Sequence, residues 1–184
     1  MLRTANKPIS VPSGISVDIN TKSRVMTFKK DNHTLTRKIH MDVDVNFDAG
    51  QNAITVSQSD VANEKTVKAQ LGTCCAHVKN ILKGLSEGFK SELIISGTGY
   101  KGKLQGKDKL ILSLGFSHDV EFDIPAGITV EMPSQTELNL SSYCIETLGN
   151  FSDRILRRRK LCRYKGKGVR LKNKPFVAKV VRKS

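Results

Sequence analysis

Apolar residues recur at every second position in six short stretches of the chain, the pattern of strands with one buried face and one wet face. ISVDI (15–19) alternates Ile, Val and Ile with polar residues, and DVDVNF (42–47) places Val43, Val45 and Phe47 on one face. LILSL (110–114), DVEFDI (119–124), ITVEM (128–132) and ELNL (137–140) repeat the pattern. Two other stretches change to a spacing of three or four. Val67, Leu71, Cys74, Val78 and Leu82 form a helical stripe, with Asp60 as candidate N-cap and Gly84 as its end. A second helix is predicted from near Ser142, with Ile145, Leu148, Ser152 and Ile155 on one face.

The order of these elements repeats. VMTF (25–28) corresponds to LILS (110–113) and VDVNF (43–47) to ITVEM (128–132), both at an offset of 85; ITVS (54–57) corresponds to LNLS (138–141) at 84. Each series then runs into a helix containing Leu-Gly, at Leu71-Gly72 and at Leu148-Gly149. A rival pairing of VPSGISVDI (11–19) with IPAGITVEM (124–132) matches better letter by letter, but its offset of 113 stands alone. The order-preserving offset predicts an α+β chain of two tandem duplicated domains, each an antiparallel sheet packed on one helix. Their expected bounds are 1–84 and 85–160, followed by a basic C-terminal extension at 161–184.

Charge changes the picture, because it is segregated. Residues 1–153 hold 17 Lys or Arg and 17 Asp or Glu, whereas residues 154–184 hold 14 Lys or Arg and no acid. The whole formal excess of +14 lies at one end. A neutral body with a basic extension is the asymmetry of a polyanion binder, most often of nucleic acid. The cations begin inside the second helix, with Arg157, Arg158, Arg159 and Lys160, which suit its macrodipole and launch the tail from a defined place. Arg163, Lys165, Lys167, Arg170, Lys172 and Lys174 follow. Gly166 and Gly168 alternate with lysines, so their backbone amides could approach phosphates, and Tyr164 offers a ring to a base or sugar. Such a segment is expected to be disordered alone and ordered by RNA. SGTGYKGK (96–103) lacks the spacing of a phosphate loop, and its glycines suit a sharp turn. At that turn Gly97, Gly99, Tyr100, Lys101 and Lys103 are expected to be exposed as further contacts.

Other chemistry finds little footing. The strand carboxylates alternate with apolar residues and line wet faces, and His33, His40, His77 and His118 are scattered without ligand spacing. Cys74, Cys75, Cys144 and Cys162 form no CxxC, so neither a metal nor a disulfide framework is expected, and Cys74 falls on the apolar stripe. No enzyme activity and no cofactor are expected. No stretch approaches the ~20 apolar residues of a membrane span, and the first fourteen residues lack the apolar core of a secretory signal.

YKGKGVR (164–170), LGFSHDVEFDIPAGITVE (114–131), GTGYKGK (97–103) and KPISVPSGISVDI (7–19) together closely resemble the bacterial-type large-subunit ribosomal protein L-six family. The resemblance covers nearly the whole chain in order, and that family's duplicated two-domain fold agrees with the repeat. It implies a structural constituent of the large ribosomal subunit that binds large-subunit rRNA near the sarcin–ricin loop, beside the site where translational GTPases dock. Neighbouring large-subunit ribosomal proteins are the other implied partners; no homo-oligomer is implied. Tyr164, Lys165, Gly166, Lys167 and Gly168 carry over by motif, as do Gly97, Gly99 and Tyr100. The family usually has a proline- and acid-containing stretch before Tyr-Lys-Gly-Lys-Gly; here it is RRRKLCR. That departure, with divergence in QSDVANEKTVKAQ (58–70), leans toward the ribosome of a mitochondrial matrix over a bacterial cytoplasm. The alternative from another class is a free RNA-binding or RNA-chaperone protein using the same tail.

Overall fold

Alternating apolar positions close into antiparallel hairpins in both halves of the chain. The computed structural model describes residues 7–31, 33–48, 50–58 and 64–179, and the chain divides into two units, Met1–Glu87 and Gly88–Ser184. The first contains strands Ile9–Ser10 (β1), Ser16–Asn20 (β2), Val25–Lys30 (β3), His33–Lys38 (β4), Val43–Asp48 (β5) and Ala53–Gln58 (β6), then helix Glu64–Glu87 (α1). The second contains Phe89–Ser96 (β7), Lys101–Gln105 (β8), Lys109–Ser113 (β9), Val120–Asp123 (β10), Ile128–Ser134 (β11) and Glu137–Ser142 (β12), then helix Ile145–Arg158 (α2) and strand Gly168–Leu171 (β13).

Sheet order shows the duplication. The first unit has sheets β2-β3-β4 and β1-β6-β5; the second has β10-β9-β8 and β11-β12-β7-β13. All of these pairings are antiparallel. VMTF and LILS lie in the central strands β3 and β9 of the sheets β2-β3-β4 and β10-β9-β8, and ITVS and LNLS lie in β6 and β12 beside β5 and β11. The rival match pairs β2 with β11, which occupy non-equivalent sheets. Order outweighs letter identity because topology is what a duplication copies. β13 has no counterpart among the described residues of the first unit: it adds a fourth strand to a sheet of the second.

Each unit buries its sheets against its helix. In the first, Met26, Phe28, Ile54 and Val56 meet Leu71, Val78, Leu82 and Leu85. The predicted stripe on α1 is buried throughout, and burial pushes the Cys74 thiol up to about 11. The helix passes the expected end at Gly84 because Leu85 still has core to fill, and it stops one residue before Gly88, at φ +73°. The candidate cap Asp60 lies outside the described residues. In the second unit, Leu148, Phe151, Ser152 and Ile155 face inward, whereas Ile145 is exposed. Burying Phe151 is worth about 2–3 kcal/mol, so the larger ring sets the helix's rotation. α2 begins at Ile145, after a turn in which the Ser142 hydroxyl donates to the Gly127 carbonyl at 2.8 Å and accepts from the Cys144 N–H at 3.2 Å.

Candidate nucleic-acid interface

The basic segment is built into the second unit, against the expectation that it is disordered alone. β13 pairs with β7 in the register Gly168–Ser96 to Leu171–Leu93, and Val169 is buried in the core. A parallel bridge joins Lys160 to Val169, whose N–H donates to the Arg159 carbonyl at 3.0 Å. The Cys162 N–H donates to the Lys167 carbonyl at 2.9 Å, and the Gly166 N–H to the Cys162 carbonyl at 2.8 Å. Residues 160–169 thus form a closed loop with Arg163, Tyr164, Lys165 and Lys167 exposed on it. The Lys179 N–H donates to the Arg163 carbonyl at 3.0 Å, so the chain returns alongside this loop.

The glycines have roles within the fold itself. A Cβ at Gly168 would meet the Leu161 Cα at 2.6 Å, and the residue sits at φ +139°. Gly166, at φ +66°, spends its amide inside the loop and lies against the Phe176 ring. The turn at Gly97 corrects a second expectation. Tyr100 is buried in the core rather than exposed, and a Cβ at Gly97 or at Gly115 would come within 2.8 Å of its ring. Those two positions are glycine because the ring fills their side-chain space. Gly99, at φ +78°, has open space around it and needs glycine for its backbone alone. Lys101 and Lys103 are exposed on β8.

Packing brings these separate segments together. Thr98, Tyr100, Gly115, Phe116, Arg158, Arg159, Lys160, Cys162, Lys165 and Lys167 line one open cleft. The Arg159 Nε donates to the Tyr100 hydroxyl at 3.3 Å, the only polar end of that buried ring. The Arg159 and Arg158 guanidinium carbons lie 5.0 and 5.8 Å from the centroid of Phe116, a residue the sequence reading did not select. Phe116 follows Gly115 in the LGFSH motif; its chemistry became legible only with the arginines beside it.

Not every candidate cation faces outward unpaired. Arg157 pairs with Asp153 one helical turn back, at 2.5 Å. Lys172 pairs with Glu92 at 3.0 Å, and that carboxylate holds its ammonium above the usual lysine range. Arg170 donates to the Lys174 carbonyl at 3.4 Å, while the Lys174 side chain is exposed. Among the described residues, Arg158, Arg159, Lys160, Arg163, Lys165 and Lys167 have no carboxylate partner. Cys162 sits among them. The backbone N–H groups of Lys165 and Tyr164, helped by the charges of Lys165 and Arg159, hold its exposed thiol below the ordinary value. No group of three or more potential metal ligands occurs among the described residues.

A family model described as ribosomal protein L6 matches the chain twice, over residues 11–88 and 96–172. The two matches are displaced as the internal repeat is. Among curated relatives, the large ribosomal subunit protein uL6 of Alkaliphilus metalliredigens (strain QYMF) is 39% identical over 183 residues, covering 100% of this chain and 96% of the relative. That of Rhodopseudomonas palustris (strain BisB18) is 40% identical over 170 residues, covering 92% of each. That of Actinobacillus pleuropneumoniae serotype 5b (strain L20) is 40% identical over 184 residues, covering 100% of this chain and 99% of the relative. With both halves matched and the likeness running end to end, the chain belongs to the ribosomal protein L6 family.

Proposed function

We propose that this protein is a non-catalytic, structural constituent of the large ribosomal subunit that binds large-subunit rRNA through the cationic cleft of its second unit. The observation that carries the reading is convergence. The end of α2, the 160–169 loop and the Gly97–Gly115 region bring Arg158, Arg159, Lys160, Lys165 and Lys167 onto one cleft without a carboxylate partner. Clustered, uncompensated cations cost folding energy through repulsion, and a polyanion repays it. Tyr164, 60% exposed on the same loop, offers a ring to a base or sugar. Nothing in the cleft is arranged to read base edges, so recognition rests on backbone and shape.

Family membership supports the assignment to the large subunit, with rRNA and neighbouring ribosomal proteins as partners. The resemblance supports the finer location near the sarcin–ricin loop and the docking site of translational GTPases. The mitochondrial lean rests on RRRKLCR and the divergence at 58–70; the relatives named above are bacterial and give it no support. Full-length likeness to ribosomal relatives favours a subunit component over a free RNA chaperone.

A salt series tests the cleft. With six to ten phosphates contacted, the log–log slope of affinity for a large-subunit rRNA fragment containing the sarcin–ricin region should be about −4 to −9. The K160A/K165A/K167A variant should lose roughly two to three units of that slope. An unchanged slope in the variant would move the RNA site away from the cleft.

A further inference from the structure

Phe116 lies outside the hydrophobic core of the second unit, yet it stands 39% exposed beside its densest positive charge. The two consecutive arginines of the cleft both gather on its ring, and the His118 ring stacks on it at 6.4 Å, 26° from parallel. Adjacent guanidiniums repel, and neither has a carboxylate partner among the described residues. A carboxylate would order an arginine by consuming its N–H donors. An aromatic face orders it through the ring quadrupole and leaves the donors for a ligand. Arg159 commits its Nε to Tyr100 and keeps its terminal nitrogens; among the described residues no side-chain hydrogen bond engages Arg158.

We infer that Phe116 is a positioning residue of the RNA site, holding Arg158 and Arg159 as a preformed pair of guanidinium forks for the phosphates of a folded RNA strand. This rests on the RNA reading above. An arginine that is mobile before binding loses rotamer freedom when it clamps a phosphate. Ordering it beforehand on a ring raises affinity without adding a contact to the ligand. Arg157 instead turns back along α2 to Asp153, whereas its two successors meet Phe116.

The test uses the full chain and the same rRNA fragment, comparing F116A, F116L, F116Y, R158A/R159A and F116A/R158A/R159A across a salt series. F116A and F116L should each weaken binding roughly five-fold with the slope little changed, because the two arginines still reach their phosphates; F116Y should bind as the wild type does. Leucine keeps apolar bulk without the ring face, so its loss separates the π interaction from packing. In the R158A/R159A background, F116A should change affinity by less than about two-fold, because nothing remains to position. Two results overturn the inference while leaving the RNA reading intact. One is wild-type affinity in F116A. The other is an equal F116A penalty with and without the arginines, which would make the ring a direct contact with RNA. A wild-type chain lacking a steep salt slope overturns both.

Discussion

A methyl group at Gly168 would lie 2.6 Å from the Leu161 Cα and 2.7 Å from the Lys160 carbonyl oxygen. Both neighbours are backbone, held by the bridge between Lys160 and Val169, so neither can swing aside. At Gly99 the backbone is also left-handed, but a methyl group would meet nothing within 4 Å. The two glycines therefore separate steric cost from conformational cost. G168A should cost about 3 kcal/mol and G99A about 1 kcal/mol in urea denaturation. Equal losses would show that φ alone governs both positions. The glycines of YKGKG are legible in the sequence as backbone requirements. The folded chain adds a reason the sequence does not show: Gly168 approaches the backbone at 160–161, and Gly166 lies against the Phe176 ring. Tyr100 carries the same lesson. A tyrosine between glycines and lysines reads as exposed, and only the folded chain shows its ring buried in the space that side chains at Gly97 and at Gly115, eighteen residues on, would have taken.

At the scale of elements, α2 and β13 belong to one structural decision. The helix ends in Arg157 and Arg158, where cations suit the carboxyl end of the dipole, and the chain then turns back to lay β13 along β7. Val169 fills core and β7 gains a second hydrogen-bonded neighbour. The basic segment is thus both a structural strand and a carrier of charge. Deleting 161–184 should lower the unfolding midpoint of the second unit by more than about 5 °C, as followed by circular dichroism. A loss of RNA binding in that deletion would therefore mix lost charge with lost structure, and point substitutions are the cleaner probes. A deletion that melts with the full chain would contradict a structural role for β13. Regular alternation made β5, β9, β10 and β12 legible. β7 escaped because Leu93, Ile94 and Ile95 are apolar in succession, which hides the alternation by which only Leu93 and Ile95 are buried. β8 escaped because KGKLQ has the composition of a turn, and β4 because HTLTRK has little to bury.

Over the whole molecule, charge and fold are duplicated unequally. The two units share their strand order and their helix, but the second carries the acid-free stretch 154–184 with its 14 Lys or Arg, together with a strand that the first lacks among the described residues. A chain whose cation cleft is attached to a folded unit should behave as a component rather than as a transient RNA binder. The purified protein is expected to assemble with large-subunit rRNA and co-sediment with large subunits through a wash of about 0.5 M salt, where contacts made by charge alone are largely screened. Release at about 0.2 M, with continued binding to unrelated RNA, would instead describe a free RNA chaperone.

By itself the sequence determined the α+β class, the internal repeat, the helix stripes and the placement of all net charge in the last 31 residues. These are local or periodic properties: burial of every second or every third and fourth residue, and a count of charges. Tertiary structure alone decided which cations share a cleft, that Lys172 is neutralised by Glu92, that Tyr100 is interior, and that Phe116 meets two arginines forty-odd residues away. Such contacts depend on how strands order in a sheet and how far a helix rotates over it, and no spacing along the chain encodes either one locally.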